Sequence, residues 1–286
     1  MRIAHLILTY TDPKQTERLI KRLVHEQCDI YVHVDKKVDI ATHELLLKQP
    51  HVYFIKNRTD VRWAGYNTVK ATFRCLQEIA DTGIHYDYVN FLSGQDYPIK
   101  SNEYLFDFLS RNAGKQFIAY KDFETEWQEA LRRTNRYHLV NFRFKGKYKL
   151  EELINQVLSR GKFPGNLRLY GSGMFWTLTM DCAMYVVNYV QNNPKLQRFL
   201  HFTWGSDEFI FQTILMNSRY KDQIVNNHYR YIDWSAGGAH PKVLTMADYD
   251  KLKASHMLFA RKFNTTIDEK ILDKLDTLIM SQEAVS

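Results

Sequence analysis

Three stretches carry side chains able to do chemistry. In "TWGSDEFIFQTIL" two adjacent acids, Asp207 and Glu208, precede the apolar residues Phe209, Ile210 and Phe211. A carboxylate held against an apolar wall can be tuned as a general base. Ser206 reads as a helix N-cap, and the acids fall in a first turn where the helix dipole favours negative charge. Glu208 is the stronger candidate base, since Asp207 can serve as a second cap; a well-capped helix with no chemical role is the plain alternative. In "YVNFLSGQDYPIKS" the apolar run from Tyr88 to Leu92 ends in a tight turn that carries one acid, Asp96. A divalent-metal site at such a strand end is often built from two closely spaced acids. Asp35, in "VHVDKK", is a second acid at a strand end. Either acid is equally an ordinary turn residue capping backbone amides; together they point to a polar ligand. The third stretch runs from Lys242 to Lys262, where "FARKF" sets Arg261 and Lys262 between two phenylalanines. Cations flanked by buried aromatics suggest a phosphate site, against the alternative of a solvated helix end. Neither a Walker motif nor G-x-G-x-x-G is present, so a P-loop or Rossmann cofactor site is not expected. His5, His33 and His240 are too scattered for zinc, and a core histidine is expected at each.

Composition bounds the ligand class. With 286 residues, 45% of them hydrophobic, the chain can bury one large α/β core or two small ones. The 18 Tyr and 17 Phe suit a sugar cleft, although ordinary core and surface positions account for most of them. A formal charge of +7 fits an anionic ligand: a nucleotide, a nucleic acid or an acidic membrane surface. No nucleic-acid module is recognisable and the cations follow no helix face, so nucleic acid is not expected. Cys28, Cys75 and Cys182 are sparse and form no zinc or redox motif, which suggests a reducing compartment. With no signal peptide and no transmembrane segment in the sequence, a cytoplasmic protein is expected.

The elements that must position these residues alternate. "RIAHLILTY", "IYVHVD", "HVYFI", "YVNFL" and "QFIAY" read as strands. A helix over "TDPKQTERLIKRLVHE" has Asp12 or Thr11 as cap, Pro13 in its first turn, and Leu19, Ile20, Leu23 and Val24 on one face. "NTVKATFRCLQEIADTG" carries Val69, Phe73, Leu76 and Ala80 on one face and stops at Gly83, and Ser101 caps "NEYLFDFLSR". This alternation predicts an α/β fold with a mostly parallel sheet and a ligand at the strands' carboxyl ends. The stretch 120–165 is basic and aromatic without clean period and reads as a surface excursion. Beyond it come a strand "GSGMFWTLT", a helix "DCAMYVVNYVQN", a helix over "TWGSDEFIFQTILMNS" and a glycine-rich turn "SAGGAHPK". The last helix is expected to align Ile267, Ile271, Leu275 and Leu278.

In order along the chain, "AHLILTYTDP", "IYVHVDKK", "DVRWAGYNTVKAT", "YVNFLSGQDYPIKS", "GSGMFWTLTMDCAMYV", "SDEFIFQTIL", "RYIDWSAGGAHPKVLTMADYDKL" and "LFARKF" resemble the core-2/I-branching β-1,6-N-acetylglucosaminyltransferases and the related peptide O-xylosyltransferases. The resemblance implies a GT-A-like fold in a single glycosyltransferase domain over 1–286. Within it lie a nucleotide-binding half (1–119), the basic excursion (120–165), an acceptor and catalytic half (166–263) and a C-terminal helix (264–286). It implies an inverting transfer of a sugar, GlcNAc first, from a UDP-sugar donor to a glycan hydroxyl, with no divalent metal and no other cofactor; a lipid-linked glycan acceptor is suggested instead by the basic excursion. Glu208 falls on the family's catalytic base and Lys262 on its diphosphate lysine, with Arg261 and Lys242 beside it. Tyr10, Thr11, Val34, Asp35, Trp63 and Gly65 would lie along the uridine, and Asp96 would touch the donor sugar or the acceptor pocket instead of forming half of a metal pair. Asp207 and Trp234 are expected on the acceptor side. Xylosyl or glucosyl transfer, and a non-catalytic nucleotide-sugar binding protein, are the alternatives. Seven Lys or Arg within 131–150, interleaved with Tyr and Phe, suggest peripheral contact with an anionic membrane.

Overall fold

The computed structural model describes residues 1–238 and 240–283. In chain order its elements are β1 (Ile3–Thr9), α1 (Pro13–Leu23), β2 (Cys28–Val34), β3 (Val52–Phe54), α2 (Tyr66–Ala80), β4 (Tyr88–Ser93), β5 (Asp96–Pro98), α3 (Asn102–Arg111), β6 (Gln116–Asp122), α4 (Arg132–Asn135), α5 (Lys147–Val157), β7 (Tyr170–Thr179), α6 (Met180–Gln191), α7 (Pro194–His201), α8 (Ile210–Met216), β8 (Ile224–Val225), β9 (Arg230–Ile232), α9 (Tyr249–Ala254), β10 (Phe259–Arg261) and α10 (Lys270–Glu283). They fall into two compact units. One takes Met1–Lys56, His85–Gly114 and the chain from His228 on; the other takes Asn57–Ile84 and Lys115–Asn227. The units interleave in sequence. The reason is visible in the first unit, where the chain returns at β4 to pair with β1.

In the first unit β3, β2, β1 and β4 pair in that order, all parallel. Parallel strands covered on both faces read as continuous apolar runs, and β2 is buried at every position. The α/β expectation with mostly parallel strands therefore holds. β10 pairs with β5 antiparallel and with β9 parallel, which sets Arg261 opposite Asp96. Helix α1 starts as expected at Asp12, whose carboxylate accepts from the Gln15 amide, and it buries Leu19, Ile20 and Leu23. Ser101 caps α3 through the Tyr104 amide. His5 and His33 are core residues, whereas His240 is exposed, because it lies on the surface turn after β9. Of "SAGGAHPK", Ala239 lies outside the described residues. The C-terminal stripe differs from the expected one: the helix begins only at Lys270 and buries Ile271, Leu272, Leu275 and Ile279, leaving Ile267 exposed outside it. The stripe is fixed in place by charge. Asp273 and Asp276 of α10 meet Arg18 of α1, and Asp276 accepts a hydrogen bond from the Tyr97 hydroxyl at 2.6 Å.

In the second unit β7 pairs antiparallel with β6, and β6 pairs parallel with β8. Helix α2 begins at Tyr66 and buries Val69, Phe73 and Leu76 as expected. Thr179 caps α6 through the Cys182 amide. The single helix expected over "TWGSDEFIFQTILMNS" is broken. Ser206–Glu208 form one tight 3-10 turn, Phe209 leaves helical geometry, and α8 runs from Ile210. Three buried neighbours, Phe209, Ile210 and Phe211, cannot all face the core from one unbroken helix, and the kink at Phe209 lets them.

Candidate active site

The acids of the second unit sit on the 3-10 turn. Gly205 precedes it with φ +65°, in the left-handed region, and its amide donates to the Ala64 carbonyl at 2.7 Å. A Cβ at Gly205 would lie 2.5 Å from Nη1 of Arg133, so glycine is required twice over, by conformation and by space. The room it leaves is filled by that guanidinium. Arg133 is 9% exposed and lies between the rings of Trp127 and Trp204, 4.5 Å from each centroid. Its Nη1 donates to Oε2 of Glu208 at 2.5 Å, while 33% of the Glu208 side chain remains exposed. A delocalised, weakly hydrated cation suits this sandwich, and its fork fixes the carboxylate it holds.

Asp207 has a different environment. Its Oδ1 is buried without a hydrogen-bond partner among the described residues. Burial first, and the Glu208 charge second, push its carboxyl up to about 7, with Arg133 pulling the other way. Ser206 is not the expected N-cap: its hydroxyl is buried and caps nothing, because the turn tightens before a second helical turn can form. Trp63 is exposed and packs edge-on against Trp204, 5.6 Å between centroids, and Gly65 opens α2. Trp63, Gly65, Asp207 and Glu208 thus gather around Gly205. Arg133, Trp127 and Trp204 were not singled out from sequence. Arg133 was hidden in a basic run, and the available signal was the Trp-Gly pair before the acids. The basic excursion is accordingly not all surface: Arg133 is buried, and Arg160 reaches inward to the Phe199 carbonyl and the Thr203 hydroxyl. A cavity of about 240 Å³ opens here, lined by Trp127, Glu129, Ala130, Arg132, Arg133, His138 and Trp204.

In the first unit the carboxyl end of β1 delivers Tyr10 and Thr11 to a cleft of about 740 Å³, which also includes Asp12, Gln15, Gln95 and Asn264–Thr266. Gln15 knits this wall together. Its amide donates to the Gly94 and Phe263 carbonyls, and its carbonyl accepts from the Thr265 amide. Gly94 is needed for the approach, since a Cβ there would sit 2.7 Å from the hydroxyls of Thr9 and Thr16. Val34 is buried, and Asp35 closes the end of β2 by accepting from the Lys37 amide at 2.9 Å. Trp234 is exposed in the loop after β9.

Asp96 is not at the surface of this unit. Its side chain is wholly buried, it accepts from the Ser93 amide, and Arg261 Nε stands 3.4 Å from its Oδ1. Any influence on a ligand therefore passes through Arg261 and not through direct touch. Arg230 lies in the same cluster, 3% exposed, and donates to the Asn90 side chain and the Phe91 carbonyl. Burial lowers both guanidiniums, Arg230 to about 9. Phe259 and Phe263 are buried as expected, but Arg261 turns inward between them while Lys262 stays half-buried. Lys242 pairs with Asp248 at 2.6 Å, which holds its ammonium above the usual range. The Leu244 amide donates to the Lys262 carbonyl, bringing the two lysine-bearing segments side by side. Among the described residues no group of three His, Cys, Asp or Glu could hold a metal ion, and no helix is long and apolar enough to cross a membrane.

Comparison with known proteins agrees with the resemblance seen in the motifs. Rat xylosyltransferase 2 is 26% identical over 305 residues, covering 96% of this chain and 33% of its own length. The Drosophila melanogaster xylosyltransferase oxt is 24% identical, with the same coverage of each chain. The chain thus spans about a third of the length of the curated relatives it matches. Among solved structures, mouse xyloside xylosyltransferase 1 in its apo form aligns over 90% of this chain and 97% of that one, at 11% identity and a TM-score of 0.42. The profile of the Core-2/I-Branching enzymes matches residues 3–257, nearly the whole chain, and the chain belongs to that glycosyltransferase family.

Proposed function

We propose that the chain transfers a sugar from a UDP-sugar to a hydroxyl of a glycan or lipid-linked glycan with inversion, without a divalent metal, and with Glu208 as general base. The observation that carries this reading is the clasp on Glu208: a carboxylate one-third exposed and aimed by a guanidinium that two tryptophans immobilise. In the step itself the acceptor oxygen bonds to the sugar C1 as the bond from C1 to the UDP oxygen breaks. The electron pair leaves with the diphosphate, and the hydroxyl proton passes to Glu208. Negative charge then grows on the diphosphate, where fixed cations are worth most. Lys262 is assigned that contact first, since among the described residues it forms no ion pair, while Arg261 and Lys242 are already held by Asp96 and Asp248. Asp207 and the tryptophan-lined cavity are assigned to the acceptor sugar, and the Tyr10–Thr11 cleft with Val34 and Asp35 to the nucleotide.

GlcNAc is the first donor proposed, from the branching-enzyme motifs. Xylose is the second, because the relatives at 24–26% identity are named xylosyltransferases. Calorimetric titration of UDP in EDTA and then with Mn²⁺ tests the nucleotide site. Binding in EDTA that Mn²⁺ leaves unchanged supports it, and binding only with Mn²⁺ overturns the metal-free reading. A panel of UDP-sugars then names the donor. Glu208→Gln should retain UDP affinity while transfer falls by about 10²-fold or more; unchanged transfer would remove Glu208 from the role.

A further inference from the structure

Helix α5 is inside out. Its inner face is polar: Glu151 accepts from the Leu139 amide at 2.7 Å, and Asn155 exchanges hydrogen bonds with the Tyr137 backbone at 2.8 and 2.9 Å. Its outer face is apolar. Leu150, Leu153 and Val157 recur at the spacing of one helical stripe and are 43%, 56% and 72% exposed. No residue of the helix is buried. Phe144 before the helix and Leu158 after it are exposed too, at 45% and 53%. Water-facing helices ordinarily show the reverse pattern, and a contiguous apolar patch of this kind marks a contact surface.

The charges beside the stripe identify the occupant. Lys145 and Lys149 are exposed, Lys147 lies over the Tyr148 ring at 4.9 Å, and Lys162 is exposed on the chain that follows. Arg143, whose side chain is 63% exposed, stands 3.7 Å from Asp60. The acids of α5 are turned away from the stripe, Glu151 inward and Glu152 round the helix toward Arg136. An apolar stripe flanked by lysines matches a surface whose outer layer is anionic and whose interior is hydrocarbon. We propose that α5 and its flanks dock this protein on an anionic phospholipid bilayer, with Leu150, Leu153 and Val157 entering the headgroup boundary and Lys145, Lys149 and Lys162 on the phosphates. The proposal is independent of the sugar-transfer reading, since it uses none of the residues assigned to it.

Co-sedimentation of the full chain with vesicles tests it. Phosphatidylcholine vesicles are compared with vesicles containing about a third phosphatidylglycerol, at low and high salt. Binding to the anionic vesicles, weakened by salt, is expected. Each cation near such a surface multiplies affinity by about five, so Lys145→Gln with Lys149→Gln should weaken binding about 25-fold. Leu153→Glu with Val157→Glu should abolish it. All four side chains are exposed, so both double variants are expected to keep the wild-type melting temperature, measured alongside. No binding to anionic vesicles, or binding that the Leu153 and Val157 changes leave intact, overturns the proposal. A wild-type dimer in solution that those changes convert to a monomer also overturns it, in favour of a second copy as the occupant.

Discussion

Replacing Asp207 by Asn should make the protein more stable as pH rises, and the gain can be worked from the structure. Asp207 binds its proton up to about 7, against an ordinary value of 3.8. The unfolded chain therefore gives up this proton near pH 4, while the native protein keeps it to about 7. Across that window the native state holds more protons than the unfolded one, so stability falls as pH rises. The stabilising effect of the protonated form is complete below about pH 4 and lost once pH passes about 7. A gap of about three pH units, at about 1.4 kcal/mol each, gives about 4 kcal/mol. Asparagine has nearly the same shape and no charge to desolvate, so Asp207→Asn escapes this loss. Urea denaturation of both proteins from pH 4 to pH 9 is the assay. The stability of the variant minus that of the wild type should climb through the window by about 4 kcal/mol and then level off. Effects of the amide that do not depend on pH cancel in the slope. A difference that stays flat with pH would refute the reasoning, because a carboxylate ionised normally in the native state has no such linkage.

Arg133→Ala removes a buried cation from between two tryptophans and its hydrogen bond to Glu208, so a loss of about 1.5–3 kcal/mol in urea denaturation is expected. Arg133→Lys keeps the charge but not the planar fork, and should retain most stability while transfer activity drops; equal activity would count against the clasp. Gly205→Ala meets both a positive φ and the Arg133 guanidinium, and should cost about 2 kcal/mol or more; an unchanged melting temperature would show that Arg133 moves aside freely. Asp96→Asn withdraws the carboxylate that faces Arg261 in the cluster that also holds Arg230, with an expected loss of about 3 kcal/mol in the same assay and weaker UDP binding by calorimetry. Full UDP affinity in that variant would detach Asp96 from the nucleotide site.

The strands were legible because parallel, doubly covered strands write themselves as uninterrupted apolar runs, as "IAHLILT" and "YVNFL" do. The start of helix α1 was legible because Asp12 and Pro13 leave a local signature, but its end was read late: the helix stops at Leu23, where Val24 turns extended with no proline or glycine to mark it. The C-terminal stripe was read a few residues early because Ile267 fits the period, and only the contact with Arg18 and Tyr97 decides which face turns inward. The broken helix at Phe209 was not legible, since the break answers to packing and no proline or glycine marks it. Asp96 looked like a ligand contact because a turn acid at a strand end is placed like one. Its burial follows from β10 closing over β5, a pairing between residues about 165 apart. Arg133 was illegible for the same reason: its partner, Glu208, is 75 positions away.

"Trp-Gly-Ser-Asp-Glu" can then be taken as one device. Trp204 is a wall of the guanidinium slot, Gly205 is the gap that admits the guanidinium, and the tight turn from Ser206 sends the two acids to different surroundings. Two adjacent carboxylates lie beside one guanidinium, and it binds one of them. The one that receives it, Glu208, keeps a third of its side chain in the open; the one that does not, Asp207, loses an oxygen to the interior and holds its proton more tightly. A buried acid that keeps its proton can serve as a neutral hydrogen-bond donor beside an open carboxylate that accepts one. On that argument a protonated Asp207 suits donation to an acceptor hydroxyl, and Glu208 suits taking a proton from one. The assignment rests on two geometric facts: Arg133 reaches Glu208 through the gap left by the missing Cβ at position 205, and Asp207 turns an oxygen into the interior.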